Sequence, residues 1–123
     1  LDALERELGV AGSKIVLGGF SQGAMLALDV ALRNERPLAG LVLLSGTLLA
    51  EQEWIPLMPK RAALPVLQSH GRADPLLPFV IAERLRDELT RAGLCVKFLP
   101  FNGGHEIPGG AIDALNAFMS DNL

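Results

Sequence analysis

The chain has 123 residues, a length that suits a single domain (residues 1–123), and half of its residues are hydrophobic. The net charge is only −3 and positive and negative residues are interspersed, which argues against nucleic acid as a partner. No apolar stretch approaches the ~18 residues that are needed to cross a bilayer, so no membrane span is expected.

The spacing of apolar residues predicts a regular alternation of helices and strands. In chain order, the predicted elements are a helix at residues 1–8, a strand at 14–18, a helix at 23–33, a strand at 38–45, a loop at 46–64 with room for a short helical turn, a strand at 65–70, a helix at 79–92, a strand at 94–100, a glycine-rich loop at 102–110 and a helix at 111–119. The strands are apolar on both faces, which is typical of a parallel sheet covered on both sides. The predicted fold class is therefore α/β, with about four parallel strands, helices on both faces, and ligands bound beyond the carboxyl ends of the strands.

The first of those carboxyl ends carries a G-x-S-x-G pattern, Gly-Phe-Ser-Gln-Gly at residues 19–23. The chain must turn sharply there from strand into helix, which forces Ser21 into a strained backbone conformation and projects its hydroxyl. Side chains at both flanking positions are expected to clash at such a turn, which explains the two glycines. Ser21 is thus the candidate nucleophile, and the N–H of Gln22 at the start of the helix is the candidate oxyanion donor. The alternative is a Ser/Gly turn that only joins the two elements.

A serine hydroxyl needs a general base, and the chain has two histidines. His105 lies in the glycine-flanked polar loop after the fourth strand, from which an imidazole can reach Ser21. His70 ends the third strand just before Gly71, where a packed, hydrogen-bonded histidine that braces the loop is expected. We therefore predict His105 as the base and keep His70 as the alternative.

The base needs an acid that orients it, and Asp74 follows the third strand. Asp74 has an alternative role as a turn residue or a helix cap. Glu106 is the rival acid, although side chains that are adjacent in sequence, as in Glu106 and His105, rarely face each other. The order Ser, Asp, His along the chain is that of the α/β-hydrolases. No metal or cofactor is expected, because two histidines and one cysteine leave too few ligands and no phosphate-binding motif occurs.

Three motifs resemble those of the phospholipase/carboxylesterase family, which includes the acyl-protein thioesterases. They are Gly-Phe-Ser-Gln-Gly at 19–23, His-Gly-x-x-Asp-Pro at 70–75 and Gly-His-Glu at 104–106. The resemblance covers nearly the whole chain. It implies a lidless, cytoplasmic serine esterase that acts on small-molecule carboxylic esters or thioesters without a cofactor. A peptidase or a lipid-directed phospholipase is the remaining alternative among hydrolases.

The resemblance also implies roles for individual residues. Ser21, Asp74 and His105 match the catalytic triad of the family, and Gln22 matches the residue whose amide forms one side of the oxyanion hole. The segment after the second strand would line the acyl pocket. The pocket residues implied in this way are Leu48, Leu49 and Trp54, of which Trp54 is equally expected as a core anchor.

The chain departs from the family in length. In the family the nucleophile strand lies near the middle of the sheet, whereas here it begins at residue 14, so the chain corresponds to the C-terminal half of an α/β-hydrolase. We expect the free edge of the strand at 14–18 to be covered by an N-terminal half or by a second copy of the chain. The second oxyanion donor is also expected from the N-terminal half. The alternative function is therefore a noncatalytic binding or assembly module that is inactive without that half.

Overall fold

A computed structural model describes residues 15–122. Its elements are β1 (Val16–Phe20), α1 (Gln22–Arg33), β2 (Gly40–Leu44), α2 (Glu51–Trp54), a 3-10 helix (Ile55–Arg61), β3 (Pro65–Gly71), α3 (Phe79–Arg91), β4 (Cys95–Phe101) and α4 (Gly109–Asn122). None of the helices within this range is long and apolar enough to cross a membrane. The helix predicted at residues 1–8 and the first residue of the strand predicted at 14–18 lie outside the described residues.

The four strands form one parallel sheet in the order β1-β2-β3-β4. Each strand is therefore a neighbour in the sheet of the strand that precedes it in the chain, and each connection crosses one face of the sheet. The carboxyl ends of all four strands meet at the same edge of the sheet. The predicted fold class, α/β with four parallel strands, is confirmed.

Two apolar clusters cover the two faces of this sheet, as predicted for strands that are apolar on both sides. The larger cluster joins α1 and α3 to the sheet, with Leu28, Leu41 and Leu85 almost inaccessible to solvent. The smaller cluster packs Phe118 of α4 on the opposite face. Phe118 contacts the sheet at Gly40, where a Cβ atom would come within 2.7 Å of its ring. Because successive side chains of a strand point to opposite faces, β2, whose five residues are all buried, serves both clusters.

The segment at residues 46–64, which the sequence predicts as a loop with a short helical turn, is more ordered than expected. It contains α2 and the 3-10 helix. The indole N–H of Trp54 donates to Asp29 of α1 at 2.9 Å. Arg61 donates to the backbone carbonyl of Ala31 in the last turn of α1 and to those of Asn34 and Arg36, which follow the helix. The prediction underestimated this segment because its order comes from distant contacts, not from local periodicity.

Strand β1 ends two residues later than predicted, at Phe20 instead of residue 18. Glycine is depleted in strands, so the local sequence does not favour a strand beyond Gly18. The pairing with β2 continues through Gly18 and Gly19 nonetheless, and a Cβ atom on Gly18 would lie only 2.9 Å from Cβ of Val42. The strand therefore leads directly into Ser21, with no intervening loop.

Candidate active site

Ser21 occupies the turn between β1 and α1 with φ 59° and ψ −117°. A positive φ is uncommon for a residue that carries a Cβ, so this is the strained conformation expected for the turn. Its amide donates to the carbonyl of Leu44 in β2 at 2.8 Å. Its carbonyl accepts hydrogen bonds from Ala24 and Met25 in the first turn of α1. The strained residue is thus held by the sheet on one side and by the helix on the other.

Within residues 15–122, close packing requires only one of the two glycines that flank this turn. A Cβ atom on Gly19 would lie 2.2 Å from the carbonyl carbon of Gly23, which is backbone and has little freedom to move aside. A Cβ atom on Gly23 would have no neighbour within 4 Å among the described residues outside its own helix backbone. The expectation that both positions exclude a side chain therefore does not hold for Gly23 in the part of the chain that the structure describes.

The loop after β4 brings His105 between Ser21 and Asp74. Nδ1 of His105 is 2.7 Å from Oδ2 of Asp74, and Nε2 is 2.8 Å from Oγ of Ser21. An ionised carboxylate can only accept, so Nδ1 carries the hydrogen, and Nε2 of the neutral ring accepts the hydroxyl hydrogen of Ser21. The ring of Phe20 lies against that of His105, with centroids 4.9 Å apart. The Asp74 side chain is completely buried, that of His105 is 15% exposed, and Ser21 is half-buried, so solvent reaches these three groups from the serine side.

Asp74 uses its two carboxylate oxygens for two different purposes. Oδ1 accepts the amides of Leu76 and Leu77 at 2.8 and 2.9 Å, and Oδ2 faces His105. The turn contacts and the contact with His105, which correspond to the two roles that the sequence offers as alternatives, are thus both present. Burial raises the pKa of Asp74, but hydrogen bonds from the Leu77 amide, the His105 ring and the Leu76 amide together outweigh it, so the pKa lies below its usual value. The carboxylate is therefore held in its ionised form.

The two rival residues have other hydrogen-bond partners. Nε2 of His70 is 2.7 Å from the carbonyl oxygen of Leu77, and the ring is buried at the end of β3. Oε1 of Glu106 accepts from the amide of Gly104 at 3.4 Å. Of the two histidines, His105 is the one that the structure brings to Ser21.

Several of these contacts have little or no signal in the sequence. The Asp-Pro pair at 74–75 does indicate that the Asp74 carboxylate accepts backbone amides of its own turn, because aspartate in turns commonly accepts the amide two residues further on. The contact between Phe20 and His105 has no local signal, because Phe20 ends β1 and His105 follows β4, so the two residues are far apart in the sequence. It follows only once the strands are placed side by side.

The three residues expected to line an acyl pocket lie in different environments. Leu48 and Trp54 are buried and belong to the larger apolar cluster. Leu49 is 66% exposed and lines an open groove of about 550 Å³ together with residues 50–53. Of the three, only Leu49 presents a large apolar surface to solvent.

Comparisons with known proteins agree with this architecture. The family model described as Phospholipase/Carboxylesterase matches residues 3–123. Acyl-protein thioesterase 1 of Neurospora crassa is 34% identical over 99% of the chain and 52% of its own length, and that of Gibberella zeae is 30% identical over 97% of the chain and 52% of its own length. The structure of esterase PE8 superimposes on the whole chain with a TM-score of 0.88 at 31% identity, using 57% of its own chain. The chain thus spans about half the length of the curated relatives it matches.

The close approach at Gly19 predicts unequal effects of the same substitution at the two flanking glycines. We expect Gly19→Ala to lower the free energy of unfolding by about 2 kcal/mol or more, because the new Cβ overlaps backbone. Gly23→Ala serves as the matched control and should change it by less than about 1 kcal/mol, since alanine favours the helix and its Cβ meets no described residue there. Urea denaturation of the three proteins measures the difference, and equal effects of the two substitutions would contradict the packing described for Gly19.

The lowered pKa of Asp74 predicts a specific dependence of stability on pH. A carboxyl group whose pKa is lower in the folded than in the unfolded chain contributes stability that is fully present above the unfolded value, here 3.8, and is lost as the pH falls through the folded value. Asp74→Asn mimics the protonated group, so the wild type should exceed this variant in unfolding free energy by a constant amount from pH 7 to 5. The two proteins should then converge below pH 3.8 in urea denaturation series. A difference that grows on acidification would show that the pKa of Asp74 is raised instead.

Proposed function

This chain belongs to the phospholipase/carboxylesterase family, and we propose on that basis that it is a serine hydrolase that cleaves carboxylic ester or thioester bonds through an acyl-enzyme. The observation that carries the proposal is the continuous hydrogen-bonded line from Asp74 through His105 to Ser21. A hydroxyl that donates to a neutral imidazole, which in turn donates to a buried carboxylate, is the arrangement that activates serine for acyl transfer.

The proposed reaction has two acyl-transfer steps. His105 takes the hydroxyl proton as the oxygen of Ser21 attacks the carbonyl carbon, and Asp74 stabilises the imidazolium that forms. His105 then gives this proton to the departing alcohol or thiol, which leaves the acyl group on Ser21. In the second step His105 takes a proton from water, the resulting oxygen attacks the acyl carbon, and the carboxylic acid departs as Ser21 recovers its proton.

The negative oxygen of each tetrahedral intermediate needs preorganised donors. The amide of Gln22 is the proposed donor within the chain. It is at the head of α1, where N–H groups have no acceptor inside the helix and where the positive end of the helix dipole favours negative charge. The other donor of an α/β-hydrolase comes from a loop earlier in the fold. We propose that it lies outside residues 15–122.

The substrate class proposed is a small-molecule ester or thioester, in keeping with the relatives named acyl-protein thioesterase 1 and esterase PE8. We keep the segment that contains Leu48, Leu49 and Trp54 as the candidate acyl-binding region. The exposure of Leu49 favours direct contact with an acyl chain, and the burial of Leu48 and Trp54 favours a supporting role beneath it. A cytoplasmic location belongs to the same proposal, as the resemblance to the phospholipase/carboxylesterase family implies, and the single Cys95 is compatible with it.

The assignment of the nucleophile predicts covalent labelling at one residue. A fluorophosphonate probe should label the protein at Ser21, and Ser21→Ala should abolish the labelling. Ser45→Ala is the matched control, because Ser45 also follows a strand of the sheet and also has a positive φ, 54°, but is buried and is not hydrogen-bonded to His105. Peptide mass mapping identifies the labelled residue, and labelling that persists in Ser21→Ala would contradict the assignment of Ser21 as the nucleophile.

A free sheet edge suggests what completes the molecule. Strand β1 pairs with β2 on one side, and within residues 15–122 no strand pairs with its other side. An apolar groove of about 330 Å³ lies beside it, with Val16, Leu115 and Met119 among its lining residues. An apolar strand edge with unpaired backbone groups favours association. We propose that an N-terminal half, or else a second copy of the chain, covers this edge.

This proposal predicts the behaviour of the 123-residue chain by itself. Sedimentation velocity over a range of concentrations should show self-association, and addition of an N-terminal half should replace it with a one-to-one complex. Hydrolysis of a p-nitrophenyl acyl ester should be about 10² to 10³ times slower for the chain alone than for the complex, since one oxyanion donor is missing. A monodisperse, fully active monomer in which the amides of β1 exchange rapidly with solvent would contradict the proposal.

A further inference from the structure

We propose that His70, which the reaction above does not use, is a positioning residue that fixes the carboxylate of Asp74 by anchoring the turn of residues 74–77. The inference rests on the proposed function, because the exact placement of Asp74 matters for activity only if Asp74 orients a catalytic histidine. His70 does not touch the reacting atoms. It acts through the backbone of Leu77.

The peptide groups of Leu77 connect the two residues. The carbonyl oxygen of Leu77 is 2.7 Å from Nε2 of His70, and its N–H donates to Oδ1 of Asp74 at 2.9 Å. A carbonyl can only accept, so the hydrogen of His70 is on Nε2, and His70 donates it to Leu77. Nε2 is also 3.5 Å from Oδ2 of Asp74. The ring therefore lies against the acid and at the same time holds the residue whose amide binds that acid.

The His70 ring is itself held rigidly. Its side chain is 1% exposed, and its centroid is 6.1 Å from that of Phe79 at the start of α3. His70 is the penultimate residue of β3, where it is in register with Pro100 of β4. Because the ring is packed and its strand is paired, the Nε2–H of His70 is a donor at a fixed position in the core, and it holds the turn of residues 74–77 there.

The near end of the same loop is tied to the loop that carries His105. The amide of Ala73 donates to the carbonyl of Gly103 at 3.0 Å. Gly71 packs so closely there that a Cβ atom would lie 2.3 Å from the carbonyl oxygen of Gly104. The loop that carries Asp74 is thus held at its beginning by the loop that carries His105. His70 holds the far end of the same loop through Leu77, and Asp74 lies between these two contacts.

Removal of the His70 donor should affect geometry more than folding. The carbonyl of Leu77 would lose its hydrogen-bond donor in the core, and residues 75–77 would be free to shift, with the amides that hold Oδ1 of Asp74. A misplacement of about 1 Å in a catalytic group can lower a rate by about 10²-fold. The misplaced carboxylate would then lower the reactivity of Ser21 and alter the hydrogen bond between His105 and Asp74, while the chain would still fold.

Three variants of the chain test this inference. His70→Leu removes the donor with little change in side-chain size. His70→Gln keeps an N–H donor near the position of Nε2 and should rescue. Gln68→Leu is the matched control, because Gln68 is two residues earlier in β3, is equally buried, and donates to a backbone carbonyl, that of Ala82, at 2.9 Å in α3 away from the site.

Two measurements on each variant separate positioning from stability. The first is the rate of fluorophosphonate labelling of Ser21, resolved into the affinity for the probe and the maximal rate of bond formation. The second is the far-downfield proton resonance of the His105 Nδ1–H, which reports the hydrogen bond to Asp74 whether or not the protein hydrolyses any ester. We expect His70→Leu to lower the maximal labelling rate by about 10²-fold with little change in probe affinity, and to shift or broaden the resonance. His70→Gln should stay within a few-fold of the wild type, and Gln68→Leu should leave both readouts unchanged despite a similar loss of stability.

The outcomes are distinguishable from failure of the proposed function. If the wild type is not labelled at Ser21, the proposed function fails, and the resonance alone then decides whether His70 positions Asp74. An unchanged resonance and labelling rate in a folded His70→Leu would overturn the inference, and so would an equal loss of both in Gln68→Leu. If His70→Leu does not fold, His70→Asn takes its place, since its shorter amide does not reach Leu77. Equal behaviour of His70→Asn and His70→Gln would then count against the inference.

Discussion

The carboxylate of Asp74 is the group on which the geometry of the candidate site depends. One of its oxygens is occupied by the amides of its own turn, and the other accepts from Nδ1 of His105. The first set of bonds fixes where the carboxylate is, and the second therefore fixes where the imidazole is. Since the side chain is fully buried, solvent does not compete for either oxygen. A carboxylate without the turn bonds would be free to rotate, and Nε2 of His105 would lose its fixed distance to Ser21.

The parallel sheet explains why these residues meet although they are far apart in the chain. Ser21 follows β1, Asp74 follows β3 and His105 follows β4, and parallel strands bring their carboxyl ends to one edge. A histidine after β4 must still reach across the sheet to a serine after β1. The loop after β4 makes this possible, and the ring of Phe20, the residue before Ser21, packs against the imidazole of His105.

The features that could be predicted from the sequence are those with a local cause. Apolar runs of strand length and amphipathic repeats gave the strands and the main helices, and the G-x-S-x-G turn identified Ser21 as a candidate because the strand-to-helix context is itself local. The features that could not be predicted depend on distant partners. The order in residues 51–61 comes from the hydrogen bond that Trp54 donates to Asp29 and from the hydrogen bond that Arg61 donates to the carbonyl of Ala31 in the last turn of α1. The open space that a Cβ atom on Gly23 would find among residues 15–122 is likewise a property of the folded surroundings, which the motif cannot reveal.

The strain at Ser21 is supported by the core of the protein. A residue with a Cβ at positive φ costs on the order of 1 to 3 kcal/mol and persists only where its surroundings over-determine it. Here the amide of Ser21 donates to Leu44 at the end of β2, the strand that is buried on both faces of the sheet. Relaxation of the turn would break that bond and would displace α1, whose first turn hydrogen-bonds to the carbonyl of Ser21. Ser21, the candidate nucleophile, is therefore held in its strained conformation by the strand whose five residues are all buried, and its hydroxyl is directed at His105 without any bound ligand.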